Sequence, residues 1–189
     1  MNNSSKKGKI YFITSSAIVT ALMCIFGPMS VPIGVIPISL TNLVIYFAVY
    51  ILGYKGSTAA YLVYILLGLV GLPVFSGFQG GPAKLVGPTG GYLLGFVFIT
   101  IIAGLCASKA KGKLRIPIIL AGMIVSTAIT YFFGTVWFIF QTGNDVATSL
   151  TLCVFPFIPF DLAKMVIATI IGMPIRNALV KAGLIEGNK

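Results

Sequence analysis

Charge is what this 189-residue sequence has least of: 8% of its residues are charged, three are acidic and none is histidine. A soluble domain carries about 25% charged residues, so a water-facing surface cannot be built from this composition. The same shortage excludes a disordered chain and a nucleic-acid-binding tail, both of which need a polar or charge-rich sequence. Without histidine the commonest general base is missing, and without a CxxC pair no zinc or haem site is expected. The three cysteines, Cys24, Cys106 and Cys153, fall in apolar stretches and read as small packing residues. No G-x-x-x-x-G-K-[ST] run occurs, so the chain is not expected to cradle a nucleotide. What is abundant is apolar: 58% of residues are hydrophobic and the mean hydropathy is +1.05. The expectation is an all-α integral membrane protein, one transmembrane domain filling residues 1–189.

The positions of the charges outline the spans. No charge occurs between Lys9 and Lys55, a run of 45 residues, and further uncharged runs cover 56–83, 85–108, 116–144 and 146–160. A membrane-crossing helix needs about 20 mostly apolar residues. The first run is long enough for two, and Gly27, Pro28, Pro32, Gly34 and Pro37 break it in the middle. The division that results has six spans, about 10–27, 37–53, 57–73, 89–108, 116–140 and 152–180. With both termini cytoplasmic, the inner segments hold Lys6, Lys7, Lys9, Lys55, Lys109, Lys111, Lys113, Arg115, Arg176, Lys181 and Lys189, which is 11 of the 13 basic residues. The opposite placement would invert the positive-inside rule. The N-terminal run lacks a small-x-small cleavage site and is expected to be a first transmembrane helix rather than a signal peptide.

Two outer segments are unusually apolar for loops. Residues 27–37 and 77–91 are rich in Pro and Gly, which suits packed caps over a cavity, although rigid turns in the headgroup region have the same composition. Asp161 is the one acid expected inside a span, with Lys164 three residues on along the same helical face. An ionisable residue in the membrane points to function by default; a structural ion pair anchoring the helix is the competing account. One carboxylate beside one ammonium suits a neutral group offering both N–H and C=O, or a zwitterion. Ala17-xxx-Ala21 on the first span allows close approach of another helix, by internal packing or by docking of a partner. Tyr46, Tyr50, Tyr54, Tyr61 and Tyr64 are expected as interfacial anchors, the alternative being a pocket lining. Lys84, alone among the basic residues, falls on an outer loop.

The stretch Gly80-Gly-Pro-Ala-Lys-Leu-Val-Gly-Pro-Thr-Gly-Gly-Tyr-Leu-Leu-Gly-Phe96, followed by Phe160-Asp-Leu-Ala-Lys164, resembles the BioY family, the biotin-binding S components of energy-coupling factor transporters. The likeness extends over the whole chain in length, span layout and motif order. It implies an S-component fold in the plasma membrane of a prokaryote, and a transport subunit rather than an enzyme. The implied partners are biotin as transported ligand, a transmembrane coupling protein, two cytoplasmic ATPases and the lipid bilayer; no cofactor is implied. By the same resemblance Asp161 and Lys164 meet the ureido ring, Gln79 and Tyr92 add contacts, and Pro28, Val31 and Pro37 belong to a lid. Ala17 and Ala21 then become the docking surface for the coupling protein.

Overall fold

The computed structural model describes residues 3–31 and 36–185. Positions 32–35 of the expected lid, together with Glu186 and Lys189, lie outside the described residues. In chain order the elements are α1 (Asn3–Phe26), β1 (Ser30–Val31), β2 (Ile38–Ser39), α2 (Thr41–Leu69), α3 (Pro82–Val86), α4 (Gly90–Lys109), a 3-10 turn (Gly112–Leu114), α5 (Arg115–Thr142), α6 (Val146–Cys153) and α7 (Phe157–Lys181). Five helical stretches are long and apolar enough to cross a membrane: Gly8–Phe26, Thr41–Leu69, Gly90–Lys109, Arg115–Thr142 and Val146–Lys181.

The second of these stretches is folded back on itself. Gly53 has φ 60° and ψ −164°, a region open essentially to glycine alone. A straight helix would hold Thr41 and Tyr64, 23 positions apart, about 35 Å from one another at 1.5 Å per residue; instead the two side chains lie close to each other. The two arms, 41–52 and 54–69, also read their neighbours in opposite directions. Along the first arm Asn42 meets Asp161 and Tyr50 meets Thr169, so it descends beside α7. Along the second, Ser57 reaches the Thr100 carbonyl and Tyr61 the Leu93 carbonyl, so it ascends against α4. A methyl group on Gly53 would sit 2.7 Å from the Ser108 hydroxyl in addition to demanding that backbone angle. Gly53→Ala is therefore expected to lower stability by about 1–3 kcal/mol, read as a reduced thermal midpoint of the detergent-solubilised protein.

The observed elements shift several expected boundaries. Residues 37–40 are not helical; they form β2 and its exit, paired antiparallel with β1 through Ser30–Ser39 and Val31–Ile38. The expected last span, 152–180, starts later, with α7 at Phe157, and residues 152 and 153 end the separate helix α6. Asp145 caps α6 by accepting the Thr148 N–H at 3.1 Å, and α7 begins only after Pro156. Pro159 falls in the first turn of α7, where its missing N–H has no intrahelical partner to lose. Segment 77–91, read as loop, contains the five-residue α3.

The interior is polar-decorated and the exterior greasy, as a hydrocarbon solvent requires. Ile13, Phe132, Phe140 and Ile170 face outward. Tyr46, Tyr50, Tyr61 and Tyr64 are fully buried and are not interfacial anchors. Each hydroxyl is bonded to another segment: Tyr46 to Thr127, Tyr50 to Thr169, Tyr61 to the Leu93 carbonyl and Tyr64 to the Val74 carbonyl. Without water in the bilayer core, such bonds satisfy groups that would otherwise be costly, each contributing about 0.6 kcal/mol. Small residues bring backbones together where α4 meets α5; a Cβ on Gly134 would lie 2.3 Å from the Tyr92 ring. That contact seats Tyr92 at one end of the bundle, beside the start of α7.

Candidate functional site

The first turns of α7 carry Asp161 and Lys164 into the bundle, 5% and 7% exposed respectively. Their charges meet at 3.1 Å from Lys164 Nζ to Asp161 Oδ1. The same carboxylate oxygen accepts from Asn42 Nδ2 at 2.7 Å, while Oδ2 accepts from the Tyr131 hydroxyl at 2.6 Å. Lys164 Nζ also donates to Asn42 Oδ1 at 2.9 Å and to the Ser39 carbonyl at 2.9 Å. Asn42 is thus a bridge, its NH₂ toward the carboxylate and its carbonyl toward the ammonium; the reverse orientation would set like dipoles against both charges. An ammonium has three N–H donors, and protein acceptors occupy all three.

Around this polar floor lies a cleft walled by Ile36 and Pro37 of the β-ribbon side, Tyr92, Leu93 and Phe96 of α4, Cys153 of α6 and Phe157 of α7. Its cavity volume is only about 60 Å³. That is well below the 300–1,000 Å³ of a formed small-molecule site, so an occupant must spread the walls.

The sequence-predicted residues distribute unevenly around this cleft. Asp161, Lys164 and Tyr92 line it, although the Tyr92 hydroxyl is already bonded to Thr135 at 2.9 Å. Pro37 lines it, whereas Val31 is exposed on β1 and the Pro28 carbonyl accepts the Gly77 N–H. Gln79 is not on the cleft wall; it lies with Lys84 in a neighbouring depression that shares Thr89. Burial there holds the Lys84 ammonium below the ordinary lysine pKa. Cys153, expected only to pack, borders the cleft. Ala17 and Ala21 are both exposed on α1.

Sequence reasoning missed Asn42, Tyr131 and Ser39. Asn42 carried a readable signal, since an amide in a 45-residue uncharged run has to find a partner in the membrane. Tyr131 looked like any other aromatic of an apolar helix, and Ser39 takes part through its backbone.

Fold and cleft together define a multi-pass membrane protein with a narrow, charge-floored cleft at one end of its helical bundle. Residues 1–181 match the BioY family, and the chain belongs to it. It is 36% identical over 169 residues to the biotin transporter BioY of Thermotoga maritima, covering 89% of this chain and 98% of that one. It is 38% identical over 155 residues to the probable biotin transporter BioY of Pyrococcus horikoshii, covering 82% and 90%. The crystal structure of the S-component for biotin from an ECF-type ABC transporter superposes with a TM-score of 0.80 at 32% identity, covering 94% of this chain and 95% of that one. The chain is therefore a transport component with the S-component fold, resident in the prokaryotic plasma membrane, and not an enzyme.

Proposed function

We propose that this chain captures biotin with high affinity in the Asp161–Lys164 cleft at the outer membrane face and delivers it inward, working with a transmembrane coupling protein and two cytoplasmic ATPases. The observation that carries the ligand assignment is the buried Asp161–Asn42–Lys164 array beneath apolar walls. The ureido ring of biotin offers two N–H donors and one carbonyl, the complement of a carboxylate beside an ammonium. Its thioether ring and valeryl chain suit Tyr92, Phe96 and Phe157. The likeness to proteins named as biotin transporters supports the same reading.

In this reading the helical hairpin at Gly53 turns five apolar stretches into six crossings. The basic residues then set both termini on the cytoplasmic side. The β1–β2 ribbon, with Pro28, Val31 and Pro37, serves as the lid, and the exposed Ala17–Ala21 face receives the coupling protein. Gln79, beside the mouth, contributes to entry rather than to the floor.

Equilibrium binding of a panel of water-soluble vitamins to the purified protein tests the ligand. Biotin is expected to bind in the nanomolar range; nanomolar binding of another vitamin with none for biotin would overturn the assignment. Uptake into vesicles holding this chain alone separates the shared-module reading from a self-sufficient transporter, since biotin accumulation without the ATPases would contradict the proposed division of labour.

A further inference from the structure

At the end of the bundle opposite the cleft, two guanidinium groups are packed between helices without a counter-charge among the described residues. Arg176, in the last turns of α7, is 6% exposed. Its Nη1 donates to the Tyr50 carbonyl at 2.8 Å, while its Nε is buried and meets no acceptor among the described residues. Arg115, the first residue of α5, has Nε and Nη2 buried and equally unmatched. Those two atoms form one edge of the guanidinium fork, the pair of parallel donors that suits a bidentate oxyanion. The two arginines lie within electrostatic reach of each other, with Tyr50 close to both. Of the three acids in the sequence, Asp145 and Asp161 are at the cleft end and Glu186 lies outside the described residues.

Such an arrangement is unfavourable by itself. Buried donors left unmatched cost about 1–3 kcal/mol each and more when charged, and two neighbouring cations repel. An anion relieves both terms. The surroundings indicate where it comes from. Ile116 and Ile118 beside Arg115, and Ile171 and Ile175 beside Arg176, are exposed and face hydrocarbon. Approach is thus from the bilayer. Arg115 also lies only four residues beyond the exposed Lys111, across the 3-10 turn, which sets it at headgroup depth rather than in the bilayer centre.

We propose that Arg115 and Arg176 together bind the phosphate of an anionic phospholipid, held between α5 and α7 at the end of the bundle opposite the ligand cleft. The lipid neutralises the pair and ties α7, the helix that carries Asp161 and Lys164, to the membrane surface. The proposal is independent of which ligand the cleft takes.

The test is native mass spectrometry of the full chain after detergent exchange, titrated separately with phosphatidylglycerol, phosphatidylcholine and inorganic phosphate, with thermal midpoints in parallel. Wild-type protein is expected to retain one phosphatidylglycerol in preference to phosphatidylcholine. Arg115→Gln, and Arg176→Lys, which keeps the charge but removes the fork, should each weaken that retention by roughly tenfold or more. Elution as a single species on gel filtration reports that each variant is folded. Should Arg176→Lys not fold, the half-buried Arg115 carries the test. Equal retention of both lipids, or retention untouched by the substitutions, would overturn the site. An equal rise in midpoint from inorganic phosphate would overturn the lipid as its source. If Glu186→Gln lowers the midpoint as far as Arg115→Gln does, the counter-charge is the chain's own tail and the proposal fails. Loss of coupling-protein assembly with lipid retention intact would likewise transfer the arginines to a protein interface.

Discussion

Lys164→Met is expected to cost about 3–5 kcal/mol of stability, because it strands the Asp161 carboxylate in the protein interior without its ion partner. Biotin affinity should fall by roughly 30-fold or more, the equivalent of losing one partner of a buried hydrogen-bonded charge pair. Asp161→Leu should have a comparable effect, leaving an ammonium 7% exposed with only the Asn42 and Ser39 oxygens to meet it. The informative variant is the double replacement Asp161→Leu with Lys164→Met. Apolar side chains of similar size are often neutral or stabilising where an ion pair has been removed whole, so the midpoint should return toward wild type. Biotin binding should not return. Thermal unfolding and equilibrium binding on the same preparations separate the two roles, and a double variant that binds biotin like the parent would show that the pair only anchors α7.

Ala17→Trp and Ala21→Trp should leave ligand binding intact and reduce uptake by roughly tenfold or more, the effect of as little as 1.4 kcal/mol lost from a docking contact. Both positions are exposed on α1, so a bulky side chain there can extend away from the bundle and the fold is expected to tolerate it. A partner helix would respond, because association in lipid depends on close backbone approach across small residues. The measurement is co-purification with the coupling protein, alongside biotin uptake in cells that supply the complete module. Unchanged assembly and uptake would remove α1 from the interface.

How much of this was legible beforehand depended on how rare each residue type is. With three acids in 189 residues, the one inside an apolar run stood out, and Asp161 does sit at the floor of the cleft. Gly53 was one glycine among 22, and nothing local distinguishes a hairpin reversal from an ordinary helical glycine. The uncharged runs still placed a boundary near it, because Lys55 interrupts the apolar sequence two residues later. The tyrosines misled for a physical reason. An amphipathic ring is equally at home at a membrane interface or buried with its hydroxyl bonded, and only the tertiary partners, Thr127, Thr169 and two backbone carbonyls, decide between them. The site partners of Asp161 come from α2 and α5, 119 and 30 residues away in sequence, and no periodicity reports such a meeting.

One bond in the floor of the cleft has a wider consequence. The Ser39 carbonyl on β2 occupies a Lys164 N–H at 2.9 Å, and the other two N–H groups are taken by Asn42 and Asp161. A carbonyl arriving on a ligand competes with the protein's own strand for the same proton donor. In the proposed reading, a ligand carbonyl that engages Lys164 has to displace one of these three acceptors, and the Ser39 carbonyl is the one carried by the β-ribbon. On that proposal, displacing the Ser39 carbonyl would tie filling of the cleft to the seating of β2.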